Sequence, residues 1–197
     1  SVVLTTNRLP QVADMVITYT GDLGTDKWVS LVDSTLNSNN PCVDGTVAAA
    51  AADTTHSGAQ QASTRAVTIP QAAGELLDES KTYAVCYAET DGTSSDSTWA
   101  DSYIRLQISK VQQITTSGVT YRTTGGVANT ATLSVTYTGT LANNKYMSIV
   151  DSELNTARPG ARGSIAAATA DTLHTGASQA GASTSVVAFD SSGLSVT

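Results

Sequence analysis

The stretch that decides the fold is Thr18–Ala62, TYTGDLGTDKWVSLVDSTLNSNNPCVDGTVAAAAADTTHSGAQQA. It returns 118 positions later as Thr136–Ala180, TYTGTLANNKYMSIVDSELNTARPGARGSIAAATADTLHTGASQA, with about 25 of the 45 aligned positions identical and no gap. A two-residue insertion then shifts Ala66–Pro70 onto Val186–Asp190. Repetition on this scale indicates a chain built from copies of one module rather than around a single site.

The repeat predicts two modules, residues 1–110 and residues 111–197. A module of about 118 residues lies in the usual size range of domains and can bury a core. The first copy continues through LLDESKTYAVCYAET and DSYIRLQIS, whereas the second ends before any equivalent of these segments. We therefore expect the second module to lack its last strands.

The composition argues against some classes of function, namely nucleic-acid binding and membrane spanning. The net charge is -7 with a pI near 4.5, and the ten basic residues form no cluster, which argues against a nucleic-acid partner. No apolar stretch approaches the roughly 18 residues of a membrane span. Ser and Thr make up about 27 % of the chain against 14 % charged residues, a balance typical of secreted surface proteins. No N-x-Ser/Thr acceptor is present, so any glycan would be O-linked.

Strand patterns dominate. Met15, Ile17 and Tyr19 alternate with other residues at period two, as do their counterparts Leu133, Val135 and Tyr137. Further strands are predicted at Lys27–Asp33, Lys145–Asp151, Arg65–Ile69, Thr82–Glu89 and Ser102–Ser109. For the alanine run Ala48–Ala52 we favour a strand or extended loop over a helix, because a run this short does not offset helix nucleation. The pattern predicts an all-β, antiparallel β-sandwich.

The segment KTYAVCYAETDG, in which Tyr83, Val85 and Tyr87 alternate after LLDES, resembles the penultimate strand of fibronectin type III and other immunoglobulin-like sandwiches. The resemblance implies tandem immunoglobulin-like modules. It also implies that Tyr83 forms a tyrosine corner, its hydroxyl bonded to backbone upstream. One feature departs from the pattern, since immunoglobulin domains place the first Cys before a core Trp and Cys42 follows Trp28. Resemblance of fold carries no activity with it.

Cys42 and Cys86 are the only cysteines, and both lie in the first copy. In a secreted protein they are expected to form a disulfide, which would close a loop of about 45 residues and contribute about 4 kcal/mol through loop-closure entropy. A metal site would need more ligands, and a nucleophilic Cys would need a nearby His base. Gly160 stands in the place of Cys42 in the second copy.

His56 and His174 occupy equivalent places, three residues after Asp53 and Asp171. An acid, an imidazole and a hydroxyl this close in sequence suggest a catalytic triad. Triad members normally come from separate elements, however, so that the base lies between its two partners. We expect instead that the Asp side chains cap a turn and that each His bonds across a loop or a subunit contact.

Two further sets of residues suggest ligands. Asp91, Asp96 and Asp101 supply hard oxygen donors suited to calcium, but their spacing matches no EF-hand, and we expect a flexible acidic loop and no cofactor. Trp28, Trp99 and Tyr146 could stack on sugar rings. A strand Trp in a sandwich is more often part of the core.

The strand that follows Lys27, and its copy after Lys145, are apolar on both faces. One face fills the sandwich, and the other is expected to be covered by a neighbouring module or subunit, because large bare apolar patches are rare. The candidate assembly residues are Trp28, Val32, Tyr146, Val150, His56 and His174.

These patterns together favour a non-enzymatic extracellular structural protein whose modules assemble with copies of themselves, or with adjacent repeats, into a surface filament, coat or appendage. The alternative is a carbohydrate-binding or adhesin repeat of a large cell-surface protein. A third possibility is an accessory module of a secreted hydrolase. O-linked glycans would be the expected modification.

Overall fold

The computed structural model describes residues 7–116 and 126–195. The chain is mostly β and divides into two compact units, Ser1–Gln112 and Gln113–Thr197, here called unit 1 and unit 2. None of the described helices has the length and apolar character that a membrane span needs.

Seven strands in two sheets lie wholly within the part of unit 1 that the structure describes. They are β1 Arg8–Pro10, β2 Met15–Thr18, β3 Trp28–Asp33, β4 Gln60–Gln61, β5 Ala66–Ile69, β6 Thr82–Ala88 and β7 Ala100–Ser109. The larger sheet has the order β1-β7-β6-β3-β4, with β1 parallel to β7 and the other pairs antiparallel, and β2 pairs with β5 in the smaller sheet. The predicted strands of the first copy are all present, with ends shifted by one to two residues.

The two sheets of unit 1 share one hydrophobic core. Along β5 the side chains of Val67 and Ile69 are buried while Thr68 is exposed, which is the period-two pattern of a half-buried strand. Residues from both sheets meet in this core: Leu9, Met15, Val29, Leu31, Ala62, Val67, Ile69, Leu77, Tyr83, Leu106 and Ile108. The sheets therefore form two packed layers.

A second buried cluster covers the opposite face of β3 and β6. It contains Val32, Cys42, Ala48, Ala84, Cys86, Ala88 and Trp99. Residues of the same unit, from the segment after β3 and from the loop before β7, supply this cover. In unit 1 the second apolar face of β3 thus needs no neighbouring module, which corrects the expectation drawn from its sequence.

The helical segments are single turns. They span Leu36–Asn39, Gly45–Ala48, Leu154–Ala157 and Gly163–Ala166, with a 3-10 turn at Pro159–Ala161. Only Ala48 of the alanine run lies in one of them, and the four alanines that follow lie outside both helix and strand. At Asn37 and Ser38 the backbone is left-handed, with φ of 46° and 54°. This is a costly conformation for residues with a side chain, and Asn tolerates it best.

Unit 2 holds the counterparts of β2 to β5. The remaining strands are β8 Val111–Thr116, β9 Leu133–Gly139, β10 Tyr146–Met147, β11 Ser178–Gln179 and β12 Val186–Phe189. β9 pairs with β12 and has β8 on its other side, and β10 pairs with β11. Within residues 126–195 no strand corresponds to β6 or β7.

The two copies share backbone detail as well as sequence. Asn155 and Thr156 repeat the left-handed turn, with φ of 51° and 58°. The hydroxyl of Tyr19 donates to the Gly24 carbonyl at 2.6 Å, and that of Tyr137 donates to the Ala142 carbonyl at 2.9 Å. These turns lie outside the strands, where chains vary most readily, and they are nevertheless shared by both units.

Glycines at equivalent positions allow a matched test of the second cluster. A Cβ on Gly45 would lie 2.4 Å from the Ser94 carbonyl oxygen, whereas a Cβ on Gly163 would meet nothing within 4 Å. We expect Gly45→Ala to lower the free energy of unfolding of unit 1 by about 1–3 kcal/mol, and Gly163→Ala to change stability by less than about 0.5 kcal/mol.

Both tryptophans of the chain, Trp28 and Trp99, lie in unit 1, so denaturant unfolding followed by tryptophan fluorescence reports on that unit. Equal effects of the two substitutions would contradict this account of the loop packing.

Candidate functional site

A disulfide joins the segment after β3 to the middle of β6. Cys42 and Cys86 are bonded, with their Cα atoms 5.2 Å apart, and both side chains are buried in the second cluster. The bond was expected from the sequence. Cys86 lies opposite Ser30 in the β3–β6 register, so the disulfide fastens the covering segment over the centre of the sheet. Neither cysteine is available as a nucleophile or metal ligand.

Tyr83 ties β6 to two loops. Its hydroxyl donates to the Thr54 carbonyl at 2.6 Å and accepts from the Asp78 backbone N–H at 2.7 Å. The upstream backbone bond expected of a tyrosine corner is therefore present. Burial raises the pKa of the Tyr83 phenol, so the group remains a neutral donor at any physiological pH.

A buried carboxylate at the end of β3 forms an ion pair with the residue that precedes β6. Asp33 accepts from the backbone N–H and hydroxyl of Thr35, and its Oδ2 lies 2.5 Å from the Lys81 ammonium. Burial acts to raise the pKa of Asp33, but the bonds from Lys81 and Thr35 outweigh it and lower that pKa. Sequence reasoning missed this pair, because its members stand 48 positions apart.

The Asp–His pairs are turn caps in both units. Asp53 Oδ1 accepts from the backbone N–H of Thr55 and of His56, and it lies 3.0 Å from His56 Nδ1. The equivalent distance from Asp171 to His174 Nδ1 is 2.8 Å. The Thr55 hydroxyl also contacts Nδ1. A triad needs its acid and its nucleophile on opposite ring nitrogens, so this geometry supports the turn-cap interpretation.

The three candidate calcium ligands, two in the β6–β7 loop and Asp101 in β7, serve separate local roles. Asp96 accepts from the backbone N–H groups of Asp91, Gly92 and Thr98, at 2.8 to 2.9 Å. Asp91 itself caps Thr93. The sequence predicted a flexible acidic loop, but the carboxylate of Asp96 links three backbone N–H groups of this loop to one another.

Asp101, the third of these residues, forms a two-point ion pair with Arg105, at 2.9 and 2.7 Å. Across residues 7–116 and 126–195, no three His, Cys, Asp or Glu side chains gather as ligands for a metal ion.

Neither tryptophan stands free on the surface of unit 1, since Trp28 is partly buried and Trp99 is buried. Gly92 lies against the indole of Trp28 so closely that a Cβ there would be 2.2 Å from the ring. Trp99 is buried, and its indole N–H donates to the Thr93 carbonyl at 2.9 Å. Tyr146, the counterpart of Trp28, is instead 63 % exposed. The same position is therefore covered in unit 1 and open in unit 2.

A cavity of about 430 Å³ opens in unit 2 beside the segment that follows β10. Its lining is Ile149, Val150, Asp151, Ser152, Glu153, Thr172, Leu173, Leu194 and Ser195. The first three are the counterparts of Leu31, Val32 and Asp33, which β6 covers in unit 1. Sequence reasoning placed Val150 on an interface but did not find this cavity.

The candidate assembly residues thus fall into two groups. Val32 lies in the interior of unit 1, Trp28 is partly buried against the second cluster, and His56 is nearly buried beside Asp53. His174 has the same surroundings in unit 2. Tyr146 and Val150 have exposed surface, and they mark the open side of unit 2.

Comparisons of the chain with protein-family models, with curated proteins and with solved structures found no match.

The disulfide gives a first test of the site. We expect thiol titration of the unfolded chain without reductant to find no free thiol. Replacing both cysteines by Ser is expected to lower the free energy of unfolding of unit 1 by about 4 kcal/mol, because the unfolded chain regains the entropy of a loop of roughly 45 residues. Tryptophan fluorescence in denaturant measures the change. Two titratable thiols in the untreated protein would contradict the bonded state.

Asp96 gives unit 1 a dependence on acid. Burial acts to raise the pKa of this carboxyl, but the hydrogen bonds from Thr98, Gly92 and Asp91 lower it below its ordinary value. The stability that it contributes is therefore fully present above pH ~4, the unfolded pKa, and is lost as the pH falls toward the folded pKa.

For Asp96→Asn we expect a lower denaturant midpoint at pH 7, measured by tryptophan fluorescence. Below pH 4 this variant should lose less further stability than the unaltered chain does. Asp91→Asn serves as the control in the same loop and should keep the acid dependence. An unchanged acid profile in Asp96→Asn would remove Asp96 from this role.

Proposed function

We propose that this chain is a non-enzymatic structural protein of the cell exterior, whose repeated modules assemble into a filament, coat or appendage. The observation that carries the proposal is the duplication itself. The positions that are identical between the copies include the residues that build caps and turns, such as Asp53 and Asp171, and these serve the scaffold in both units. A chain that repeats its scaffold in this way is suited to stacking.

The strand order of unit 1 supports an immunoglobulin-like sandwich for the module. β6, which carries the tyrosine corner, lies between β3 and β7, as strand F lies between C and G in that fold. The buried disulfide supports an exterior location, since such bonds persist in oxidising compartments. Tandem sandwiches of this kind serve as building blocks of surface structures.

The open side of unit 2 supports assembly rather than isolated monomers. Ile149 and Val150 are half-exposed there, although their counterparts Leu31 and Val32 are fully buried in unit 1. Burial of apolar surface contributes roughly 25 cal/mol per Å², so a partner that covers this side gains free energy.

The test is the association state of the purified chain. We expect sedimentation velocity at rising protein concentration to show species larger than the monomer, and negative-stain electron microscopy to show ordered polymers. Val150→Lys places a charge on the open side and should weaken association. Val16→Lys, at an exposed strand position of unit 1, is the control and should not. A monodisperse monomer at every concentration would overturn the proposal.

A further inference from the structure

We propose that the open side of unit 2 is a strand-acceptor groove, and that it takes an extended segment with the chemistry of β6: a Lys, then a Tyr two residues later, then apolar residues. The inference deepens the proposed function by naming what docks on this surface, and it rests on that function for its biological setting. Unit 1 shows the bound form of the same acceptor, because its equivalent residues hold β6.

The groove has backbone N–H groups that can pair with an added strand. In unit 1 the Ser34 N–H donates to the Thr82 carbonyl at 2.8 Å, and Val32 lies opposite Ala84 in the β3–β6 ladder. The counterparts of these residues, Ser152 and Val150, have no backbone hydrogen bond from their N–H groups to any residue that the structure describes. An added strand would satisfy them, as in β-augmentation.

The other edge of the same segment is already paired, in the same way in both units. Ser57 N–H donates to the Leu31 carbonyl at 2.9 Å, and Thr175 N–H donates to the Ile149 carbonyl at 3.0 Å. Because successive residues of a strand point their N–H groups to opposite sides, this pairing directs the free groups of Val150 toward the groove. The acceptor therefore already has the register in which β3 receives β6.

The cavity has the place and the polar groups for a tyrosine. In unit 1 the Tyr83 hydroxyl bridges the Thr54 carbonyl and the Asp78 N–H, which also approach each other at 3.3 Å. In unit 2 the Ser195 N–H donates to the Thr172 carbonyl at 2.9 Å, and both residues line the cavity. The Thr172 carbonyl in unit 2 thus meets a backbone N–H beside the cavity, as the equivalent Thr54 carbonyl does beside the Tyr83 hydroxyl in unit 1.

The rim of the groove carries a carboxylate for the lysine. Asp151 accepts from the Glu153 backbone N–H, as Asp33 accepts from Thr35, but no ammonium or guanidinium of the described residues pairs with it. In unit 1 this place is taken by Lys81, two residues before Tyr83. Asp151 lines the same cavity as Thr172 and Ser195, so a segment that places a Tyr there and a Lys two residues earlier, as in unit 1, reaches both sites.

Copies of the chain that associate through their apolar surfaces do not fill the groove with β6 of unit 1, because that strand is already in place. β6 is a central strand, paired on both sides and fastened by the disulfide. The occupant is therefore a segment of this chemistry that lies outside residues 1–197, of the kind that a further repeat carries. A synthetic peptide with the sequence of residues 78–89 and Ser in place of Cys86 reproduces it in trans.

The experiment measures binding of this labelled peptide to the full 197-residue chain by fluorescence anisotropy. We expect saturable binding, and a loss of more than roughly tenfold in affinity when the tyrosine of the peptide is replaced by Ala, because anchoring aromatic residues dominate such interfaces. A scrambled peptide should not bind. Absence of saturable binding by the parent peptide would overturn the inference.

A double-mutant cycle assigns the ion pair. Asp151→Asn in the chain should weaken the parent peptide by roughly threefold to tenfold, and should have little effect on a peptide with Ala in place of its Lys, since the paired group is then already gone. Asp190→Asn is the control, because this carboxylate caps Ser192 and does not line the groove. Equal effects on both peptides would remove Asp151 from the recognition.

Hydrogen exchange locates the peptide without any substitution. On peptide binding to the unaltered chain, the amides of Val150 and Ser152 should gain protection, while those of Val32 and Ser34, already paired in unit 1, should not change. Protection elsewhere would overturn the groove assignment.

The same samples separate the two proposals. Association of the chain without peptide binding would retain the structural function and refute the groove. Peptide binding by a chain that stays monomeric would establish the groove and refute assembly.

Discussion

The pairing of β3 with β6 is the interaction on which the rest of unit 1 depends. β6 and the residue before it bring three side chains to β3 and its flanking loops: Lys81 to the carboxylate of Asp33, Tyr83 to the Thr54 loop, and Cys86 to the segment that carries Cys42. Each of these is a long-range contact, and each depends on a single register of six residue pairs between β3 and β6. A slip of one residue would turn all three to the wrong face at once, so the register is strongly specified.

Unit 2 shows how a related sequence folds where no counterpart of β6 is paired with it among the described residues. Leu31 and Val32 are fully buried, whereas the corresponding Ile149 and Val150 keep exposed surface, and the corresponding strand β10 shortens to two residues. The local turns nevertheless remain the same, including the left-handed residues and the Asp–His caps. Caps and turns are therefore fixed by residues near in sequence, while strand length and burial are fixed by the partner strand.

Sequence reasoning succeeded where the physics is local or strictly periodic. The repeat, the alternating strands, the disulfide and the backbone bond of Tyr83 all follow from short patterns or from the small number of cysteines. It failed at contacts between distant residues of unlike type. The cover over Trp28 is the backbone of Gly92, in a loop expected to be open and acidic, and the hub of that loop is the buried carboxylate of Asp96. Neither contact has a periodic signature.

The residues that differ between the copies also separate local contacts from contacts with distant segments. Trp28 is replaced by Tyr146 and Cys42 by Gly160, and both first-copy residues contact the cover that in unit 1 comes from β6 and the loop after it. Val150 and Asp151 are unchanged from Val32 and Asp33. Burial stabilises an apolar side chain such as that of Val150. A carboxylate such as that of Asp151, when it is exposed to water, gains little from an ion pair. Asp151 keeps its turn bond from Glu153 in unit 2, whereas the apolar residue beside it is fully buried only in unit 1, where β6 pairs with β3.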